Sequence, residues 1–309
     1  MQPPDRLYQI ARSQDGVVTA AQVLATGMSR RDVRDLCRAG RWRRLARGTY
    51  LLSVGEGEPP RRALIRAAVT SLGPRAAAVL GTAADLFGIG GLPRSDEIHV
   101  SVPVDAPRAQ RAIDPRVVVH QLTFGSGQLC SIGGIRATTP LVTVAGLILR
   151  TDRYPAVCVL DSALNRGLIG ADEFARIPAL IRGRRGAVAA RRYLAEADHR
   201  AQSPLETRAR LRCVDGRVPP DVLQVDVRDD DGYLLGVGDL GWLAARVVAE
   251  ADGAGVHGTP AAVFEDRRRQ NLFVNAGWRV LRFTWADTLR PDYIPYVVRV
   301  ALGRPTASW

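Results

Sequence analysis

Apolar and polar positions follow a helical spacing in the first part of the chain and then change to a strand-like alternation. The spacing predicts a helix over residues 5–13, a second over 20–25, and a third that begins after Ser29 and ends near Gly40. A glycine turn joins the second and third helices, and residues 41–52 then alternate like a β-hairpin. This order is typical of a helix-turn-helix followed by a wing.

Positive charge is concentrated in the same segment. Residues 1–50 contain ten arginines and four aspartates, a formal charge of +6 and half of the net +12 of the chain. The third helix and the hairpin therefore present a basic surface suited to a DNA major groove and its flanking phosphates. A small interaction module with a solvated basic surface is the alternative. The candidate DNA-binding residues are Arg30, Arg31, Arg34, Arg38, Arg41, Arg43 and Arg44.

A stretch rich in glycine and proline over residues 55–60 predicts a linker, after which we place a middle α/β region at 60–200. His99 and His120 lie on two predicted strands; they either pair across strands as metal ligands or are ordinary sheet residues. The basic loop 182–186 either touches a phosphate backbone or is exposed surface. The predicted helices are 61–72, 79–87, 141–149, 155–165 and 187–197, and the predicted strands are 98–102 and 117–122.

Two short apolar runs, 237–240 and 246–252, predict an antiparallel hairpin in the carboxy-terminal part. Side chains alternate along a strand, so Glu250 and Asp252 point the same way and Asp239 on the partner strand can converge with them. Carboxylates packed this closely repel one another, which raises their pKa values or requires a cation between them. A divalent ion such as Mg²⁺ is the usual resolution, and a surface hairpin with solvated acids is the alternative.

Further elements flank this hairpin, and the first of them carries a fourth candidate acid. Ser203 is a suitable N-cap, Pro204 follows at the first helical position and Glu206 lies at the third, which predicts a capping box. This local role competes with a metal-binding role for Glu206. The other predicted elements are a strand over 223–228, a helix over 260–276, a strand over 278–284 and an irregular closing helix over 287–302.

The order of these residues resembles the very-short-patch-repair-like branch of the PD-(D/E)xK nuclease superfamily over residues 203–303. The resemblance implies a mixed sheet flanked by helices and a DNA-cleaving site that depends on Mg²⁺ or Mn²⁺. The matching pattern is Asp239, ten residues, Glu250-Ala251-Asp252-Gly253, three residues and His257, followed by the helix Phe264 to Leu272 and the run Gly277 to Phe283.

The same resemblance assigns roles by position. It implies that Asp239 and Glu250 are metal ligands and that Glu206 contributes a further carboxylate. Asp252 or His257 would position or deprotonate the attacking water. Many superfamily members have lysine where Asp252 stands, but this chain contains no lysine, so a lysine-assisted mechanism is excluded. The arginines implied to hold the phosphate are Arg267 and Arg269.

The amino-terminal segment resembles the winged helix of AbiEi-type antitoxins of type IV toxin–antitoxin systems. This resemblance implies a DNA-binding regulator with a cognate toxin-type partner, and it extends to the body of the middle region. The residues that carry it are Gly16-Val17-Val18-Thr19, Val23, Arg31, Leu36, Arg41-Trp42, Leu45 and Gly48-Thr49-Tyr50.

Composition predicts the kind of partner and the cellular compartment of this protein. All 43 basic residues are arginine and the sequence pI is about 10.6, which suits a polyanionic partner. The four cysteines have no C-x2-C spacing, so neither a zinc site nor a disulfide framework is predicted. The amino terminus has no apolar signal region, and the longest apolar run, Leu141 to Leu149, is too short to cross a bilayer. We therefore expect a cytoplasmic protein without a membrane partner.

Together these patterns predict an α+β, mixed α/β chain in three parts: a winged helix-turn-helix at 1–54, the middle region at 60–200 and a restriction-endonuclease-like mixed sheet flanked by helices at 203–303. The leading hypothesis is a DNA-binding protein with a Mg²⁺- or Mn²⁺-dependent endonuclease domain. The alternative is a non-enzymatic, antitoxin-like transcriptional regulator with a degenerate nuclease fold. An RNA-directed protein ranks last because few aromatic residues are evident for stacking bases. The expected partners are DNA, a cognate toxin-type protein and, in a homodimer, a second copy.

Overall fold

The described residues form helices and three β-sheets, which confirms the predicted α+β class. The computed structural model describes residues 3–52, 57–106, 114–253 and 260–303. Within these ranges no helix is both long enough and apolar enough to cross a membrane. The predicted three-part division stays a prediction, and the contacts group the chain into two compact units: Met1–Ile89 with Pro93–Leu147, and Gly90–Leu92 with Ile148–Trp309.

The first unit begins with the predicted helix-turn-helix and wing. Its elements are α1 (Asp5–Ser13), β1 (Val17–Thr19), α2 (Ala20–Leu24), α3 (Arg30–Arg38), β2 (Trp42–Ala46) and β3 (Thr49–Leu52). The helices α2 and α3 each begin at an N-cap: Thr19 Oγ1 accepts a hydrogen bond from Gln22 N at 3.1 Å, and Ser29 Oγ accepts one from Asp32 N at 3.2 Å. The strand β1, which the sequence pattern did not predict, completes an antiparallel sheet in the order β1-β3-β2.

The apolar side chains of this winged helix are divided between two cores. One group packs with the following helix, Arg61–Ser71, and with the five-stranded sheet: Val17, Leu45, Ala46 and Leu51. The others form a small core of their own. Leu7 of α1, Val23 of α2 and Leu36 of α3 are buried together with Trp42 and Leu52 of the wing. Because the apolar stripe of α3 faces inward, the arginines of that helix lie on its exposed side.

A five-stranded mixed sheet follows in the same unit. Its strand order is β6-β5-β4-β8-β7, and the hairpin of β7 and β8 is a feature that the sequence pattern did not predict. The elements are α4 (Arg61–Ser71), β4 (Ala77–Ala78), α5 (Leu80–Phe87), β5 (Ile98–Val102), β6 (Val117–Gln121), β7 (Leu129–Ile132) and β8 (Ile135–Thr138).

Asp15 connects the winged helix to this sheet through two arginines of α4. Its carboxylate oxygens accept hydrogen bonds from Arg62 Nε at 2.9 Å and from Arg66 Nε at 2.8 Å. Arg66 is buried and also donates to the carbonyl of Gly133 at 2.6 Å, in the turn between β7 and β8. One buried guanidinium therefore links three parts of the first unit.

The second unit contains the predicted carboxy-terminal hairpin within a four-stranded mixed sheet. After α6 (Pro140–Ile148), which crosses the division, its elements are α7 (Arg153–Asn165), α8 (Ala171–Leu180), α9 (Ala187–Leu194), α10 (Pro204–Asp215), β9 (Val222–Arg228), β10 (Leu234–Trp242), β11 (Val247–Asp252), α11 (Pro260–Asn275), β12 (Arg279–Thr284), α12 (Trp285–Thr288) and α13 (Tyr293–Ala301). The strand order is β12-β11-β10-β9, with β11 and β12 parallel and the other pairs antiparallel.

Helices cover both faces of this sheet. Phe283 of β12 packs in one apolar cluster with residues of α10 and with Val298 of α13. Phe273 of α11 packs on the other side against Val225 of β9 and Val248 of β11. The acidic residues of the hairpin are thus carried by strands that are held from both sides.

A buried ion pair joins α7 to α10. Asp161, which is 1% exposed, lies 3.0 Å from Arg210 Nη2. The same carboxylate accepts hydrogen bonds from Thr207 Oγ1 at 2.8 Å and from Asp198 N at 2.7 Å. Burial outweighs these partners and raises the pKa of Asp161 to about 6.

Candidate functional site

The exposed face of α3 and the wing form a basic groove, which we call the α3–wing groove. Arg30 and Arg34 lie one turn apart on α3, and Arg44 reaches the groove from β2. Leu24 and Tyr50 add apolar surface between these charges. The groove has a volume of about 540 Å³ and is lined by Ala20, Leu24, Arg30, Val33, Arg34, Cys37, Arg38, Arg44 and Tyr50.

The remaining predicted arginines are Arg31, Arg38, Arg41 and Arg43, and of these Arg38 lines the groove. Arg31 Nε lies 3.9 Å from one carboxylate oxygen of Asp35, and Arg38 Nη1 lies 3.4 Å from the other. Arg43 donates to a backbone carbonyl at 3.2 Å, and Arg41 is exposed after the end of α3. The structure therefore brings four of the seven predicted arginines together in the groove: Arg30, Arg34, Arg38 and Arg44.

The predicted acidic residues of the hairpin lie on the sheet of the second unit. Continued by one residue, the antiparallel register of β10 and β11 places Asp239 opposite Glu250. Asp239 Oδ2 accepts a hydrogen bond from Ala251 N at 2.7 Å. Burial raises the pKa of Asp239 above its ordinary value, and the neighbouring carboxylate of Asp252 adds to that rise.

Glu206 joins this group of acids through Gln224. Gln224 Nε2 donates to Glu206 Oε2 at 2.9 Å and lies 3.4 Å from Asp239 Oδ1. Ser203 Oγ accepts a hydrogen bond from Glu206 N at 3.2 Å, as predicted. The second half of the predicted capping box is wrong: the buried Glu206 side chain turns toward the sheet and accepts from Gln202 N at 2.9 Å. Burial, and next the charge of Asp239, raise the pKa of Glu206.

Gln224 is a site residue that sequence reasoning missed. Its backbone φ is 53°, a left-handed conformation inside β9, between the buried side chains of Leu223 and Val225. Such a conformation costs a non-glycine residue roughly 1–3 kcal/mol and persists only where the surroundings impose it. A glutamine within a strand pattern gives no local signal of this arrangement.

Two arginines hold the carboxylate of Glu250. Arg269 Nη2 lies 2.9 Å from Oε1, and Arg282 Nη2 lies 3.0 Å from Oε2. The parallel register of β11 and β12 places Arg282 beside Glu250, and Arg282 Nη1 is also 3.6 Å from Asp252 Oδ2. Arg269, a predicted phosphate contact, therefore binds a carboxylate, whereas Arg267 is exposed on α11.

Glu206, Asp239, Glu250 and Asp252 with Arg269 and Arg282 form a group that we call the carboxylate–arginine cluster. The described side chains of this cluster do not fit the cation that the nuclease resemblance implies. Mg²⁺ requires near-octahedral oxygen ligands. Each oxygen of Glu250 instead faces a guanidinium, and each oxygen of Asp239 faces an N–H donor. Over the described residues, no group of three His, Cys, Asp or Glu side chains is placed to hold a metal ion. The remaining predicted residue, His257, lies outside the described residues.

His99 and His120 form the pair that the sequence left open. His99 Nδ1 lies 3.1 Å from His120 Nε2, and His99 Nε2 lies 3.4 Å from a carboxylate oxygen of Glu97. Burial lowers the pKa of His99, which favours the neutral ring. A hydrogen bond between neighbouring strands accounts for this contact.

Comparison with known proteins identifies the amino-terminal domain. The family described as "Transcriptional regulator, AbiEi antitoxin" matches residues 5–53, which span the winged helix. Residues 5–53 are therefore an AbiEi antitoxin-family domain. The matched family and the matched relatives lend no support to the nuclease resemblance of residues 203–303.

Relatives from Mycobacterium tuberculosis match most of the chain. "Uncharacterized protein MT2308" (strain CDC 1551 / Oshkosh) and "Uncharacterized protein Rv2248" (strain ATCC 25618 / H37Rv) are each 32% identical over 219 residues, or 71% of this chain and 78% of the relative. The crystal structure of RV2827C protein from the same species gives a TM-score of 0.42 at 17% identity over 72% of this chain and 85% of that chain, too distant to support an argument. The chain thus belongs to the family of the mycobacterial proteins MT2308 and Rv2248.

Proposed function

We propose that this protein is a DNA-binding transcriptional regulator of the AbiEi antitoxin type. The observation that carries the proposal is the convergence of Arg30, Arg34, Arg38 and Arg44 on the α3–wing groove. The antitoxin-family match over the same residues supports it independently.

The geometry suggests a division of roles between these arginines. Side chains near the start of a recognition helix contact base edges in the major groove, and Arg30 and Arg34 occupy that part of α3. A guanidinium donates two hydrogen bonds to guanine O6 and N7, so these two are proposed to read bases. Arg38 at the end of α3 and Arg44 on the wing are placed to bind flanking phosphates.

Binding of DNA from upstream of the protein's own gene tests this proposal. Arg34→Ala is expected to weaken binding by about 1–3 kcal/mol and to relax the base preference at one position. Arg31→Ala is the matched control, because Arg31 lies on the same helix but next to Asp35 and outside the groove. Fluorescence anisotropy against specific and scrambled duplexes gives both affinities. Equal losses in the two variants, or no preference of the wild type for its own upstream DNA, would overturn the proposal.

The proposed regulator has a cognate toxin-type protein as its partner, as the antitoxin family suggests. A nucleotidyltransferase-like gene beside this one, whose growth inhibition is relieved by co-expression of this chain, would support the partnership. Unrelieved inhibition by that neighbour would count against it.

A second candidate function, Mg²⁺- or Mn²⁺-dependent cleavage of DNA, requires a cation to displace the guanidinium groups from Glu250, and one observation favours it. The fold brings Glu206 and Asp239 together through the strained Gln224 and places Glu250 on the adjacent strand. Calorimetric titration of Mg²⁺ and Mn²⁺ into the wild type and an Asp239→Ala, Glu250→Ala double variant tests this candidate. Binding lost in the variant, together with plasmid cleavage, would support it; an inert wild type in the presence of DNA would remove it.

A further inference from the structure

A row of large apolar side chains is exposed along the outer side of α12 and α13, and we call it the α12–α13 stripe. The exposed fractions are 46% for Trp285, 59% for Leu289, 39% for Tyr293, 42% for Tyr296 and 51% for Val300. Tyr293, Tyr296 and Val300 follow the spacing of three and four residues that lines up side chains along one side of α13. Trp285 lies on α12 and Leu289 in the turn that joins the two helices, and α12 and α13 contact each other, so the five exposed side chains lie on neighbouring elements.

The helix α13 is apolar on both of its sides. Ile294 and Val298 are buried in the core of the sheet, opposite the exposed Tyr296 and Val300. Arg299 is the one charged residue of the helix, and its Nη2 donates to the carbonyl of Gly216 at 2.6 Å. Helices that are apolar all round are usually buried on all sides. The core of the second unit covers the inner side of α13, so we expect another apolar surface to cover the outer side.

The stripe has about the size that a specific contact requires. Aromatic side chains bury roughly 150–250 Å² each and Leu and Val less, so five that are about half exposed offer at most about 500 Å². Two such surfaces would bury up to about 1,000 Å² in total, which is the lower limit for a specific protein–protein interface.

Charges of both signs at the middle of the stripe indicate what covers it. Arg290 and Asp292 lie between Leu289 and Tyr293, and the Arg290 guanidinium lies 5.2 Å from the centre of the Tyr293 ring. A two-fold symmetric interface must be complementary to itself. A patch with a cation and an anion two residues apart meets this condition, because Arg290 of each copy can reach Asp292 of the other.

We propose that the α12–α13 stripe is the interface of a homodimer, with a second copy of this chain as its occupant. The two helices pack across a two-fold axis, with the tyrosines and Leu289 at the centre. Arg290 and Asp292, in the turn between the two helices, form reciprocal ion pairs. The proposal is independent of DNA binding and of the carboxylate–arginine cluster.

Sedimentation velocity of the full chain over a wide concentration range tests the interface. Leu289→Glu and Tyr296→Glu are each expected to weaken dimerisation at least about a hundredfold, because each places like charges close together in an apolar contact. Tyr233→Glu is the matched control, since Tyr233 is 72% exposed in the turn between β9 and β10. A wild type that stays monomeric at every concentration overturns the proposal, as do stripe variants that dimerise like the control.

A charge-exchange experiment identifies the occupant and uses substitutions that leave the apolar residues in place. Arg290→Asp and Asp292→Arg are each expected to dimerise at least about tenfold more weakly alone, because each variant brings like charges together. An equimolar mixture of the two variants is expected to regain the wild-type affinity as a heterodimer. No recovery in the mixture would show that another protein, or another segment of this chain, covers the stripe.

Discussion

Removing the two arginines that hold Glu250 should reveal how the carboxylate–arginine cluster is stabilised. Glu250 has an 8% exposed side chain, while Arg282 and Arg269 are 30% and 40% exposed. Breaking a buried ion pair costs about 3–5 kcal/mol when the remaining charge is left without a partner. Either single change leaves one guanidinium in place, so we expect about 2 kcal/mol for Arg282→Met and, with its greater exposure, about 1 kcal/mol for Arg269→Met.

The double variant is the decisive one. Arg269→Met with Arg282→Met leaves a buried carboxylate without either guanidinium, and we expect a loss of about 5 kcal/mol, more than the sum of the two single losses. Urea unfolding followed by circular dichroism gives these free energies, provided the m-value is unchanged. Arg267→Met, on the exposed side of α11, is the control and should change stability by no more than about 0.5 kcal/mol. Additive losses in the double variant would refute this account of Glu250.

The same double variant separates two interpretations of the cluster. With both guanidinium groups absent, Glu250 and Asp239 become ligands that a divalent cation can approach. We expect Mn²⁺ to raise the midpoint of unfolding in the double variant but not in the wild type, because a ligand that binds only the folded state stabilises it. An equal response of the two proteins would show that the arginines do not take the place of a cation.

Three further changes probe other parts of the molecule. Burial raises the folded-state pKa of Asp161 to about 6, so the contribution of this carboxyl group to stability is full below about pH 3.8 and is lost as pH rises through about 6. The free energy of unfolding of the wild type relative to Asp161→Asn should therefore change by about 3 kcal/mol between these two pH values. Urea unfolding measures this difference. Ser29→Ala removes the N-cap of α3 and should cost about 0.5–2 kcal/mol, with weaker binding in the anisotropy assay; an unchanged melting temperature would contradict this. Gly216→Ala places a methyl group against the ring of Pro295 and should lower the free energy of unfolding by about 1–3 kcal/mol. Gly232→Ala, with open space around it but a left-handed φ of 87°, tests backbone strain alone.

The parts of the structure that sequence patterns predicted are those determined by neighbours along the chain. Thr19 and Ser29 start their helices through hydrogen bonds that span three residues, and hence the helix-turn-helix was predicted with nearly correct bounds. Strand alternation likewise placed Glu250 and Asp252 correctly within β11.

The contacts that were missed depend on neighbours across the sheet. Arg282 reaches Glu250 because β12 pairs in parallel with β11, and a helix separates these strands in sequence. Gln224 reaches Glu206 and Asp239 because three elements meet at one point of the sheet. Local periodicity carries no information about either arrangement, so the acids and Arg269 were predicted as site residues while Arg282 and Gln224 were not.

The link from Asp15 through Arg66 to Gly133 limits where the winged helix can be cut from this chain and fused to another protein. A winged helix joined only by a linker could be moved to another protein at that linker without loss. Here the attachment is an ion pair together with apolar packing of Val17, Leu45 and Leu51 against α4 and the sheet. A graft cut after β3 would leave Asp15 without both of its arginine partners and would expose these apolar residues. Recombination that preserves this domain must therefore carry α4 and the β7–β8 hairpin along with it.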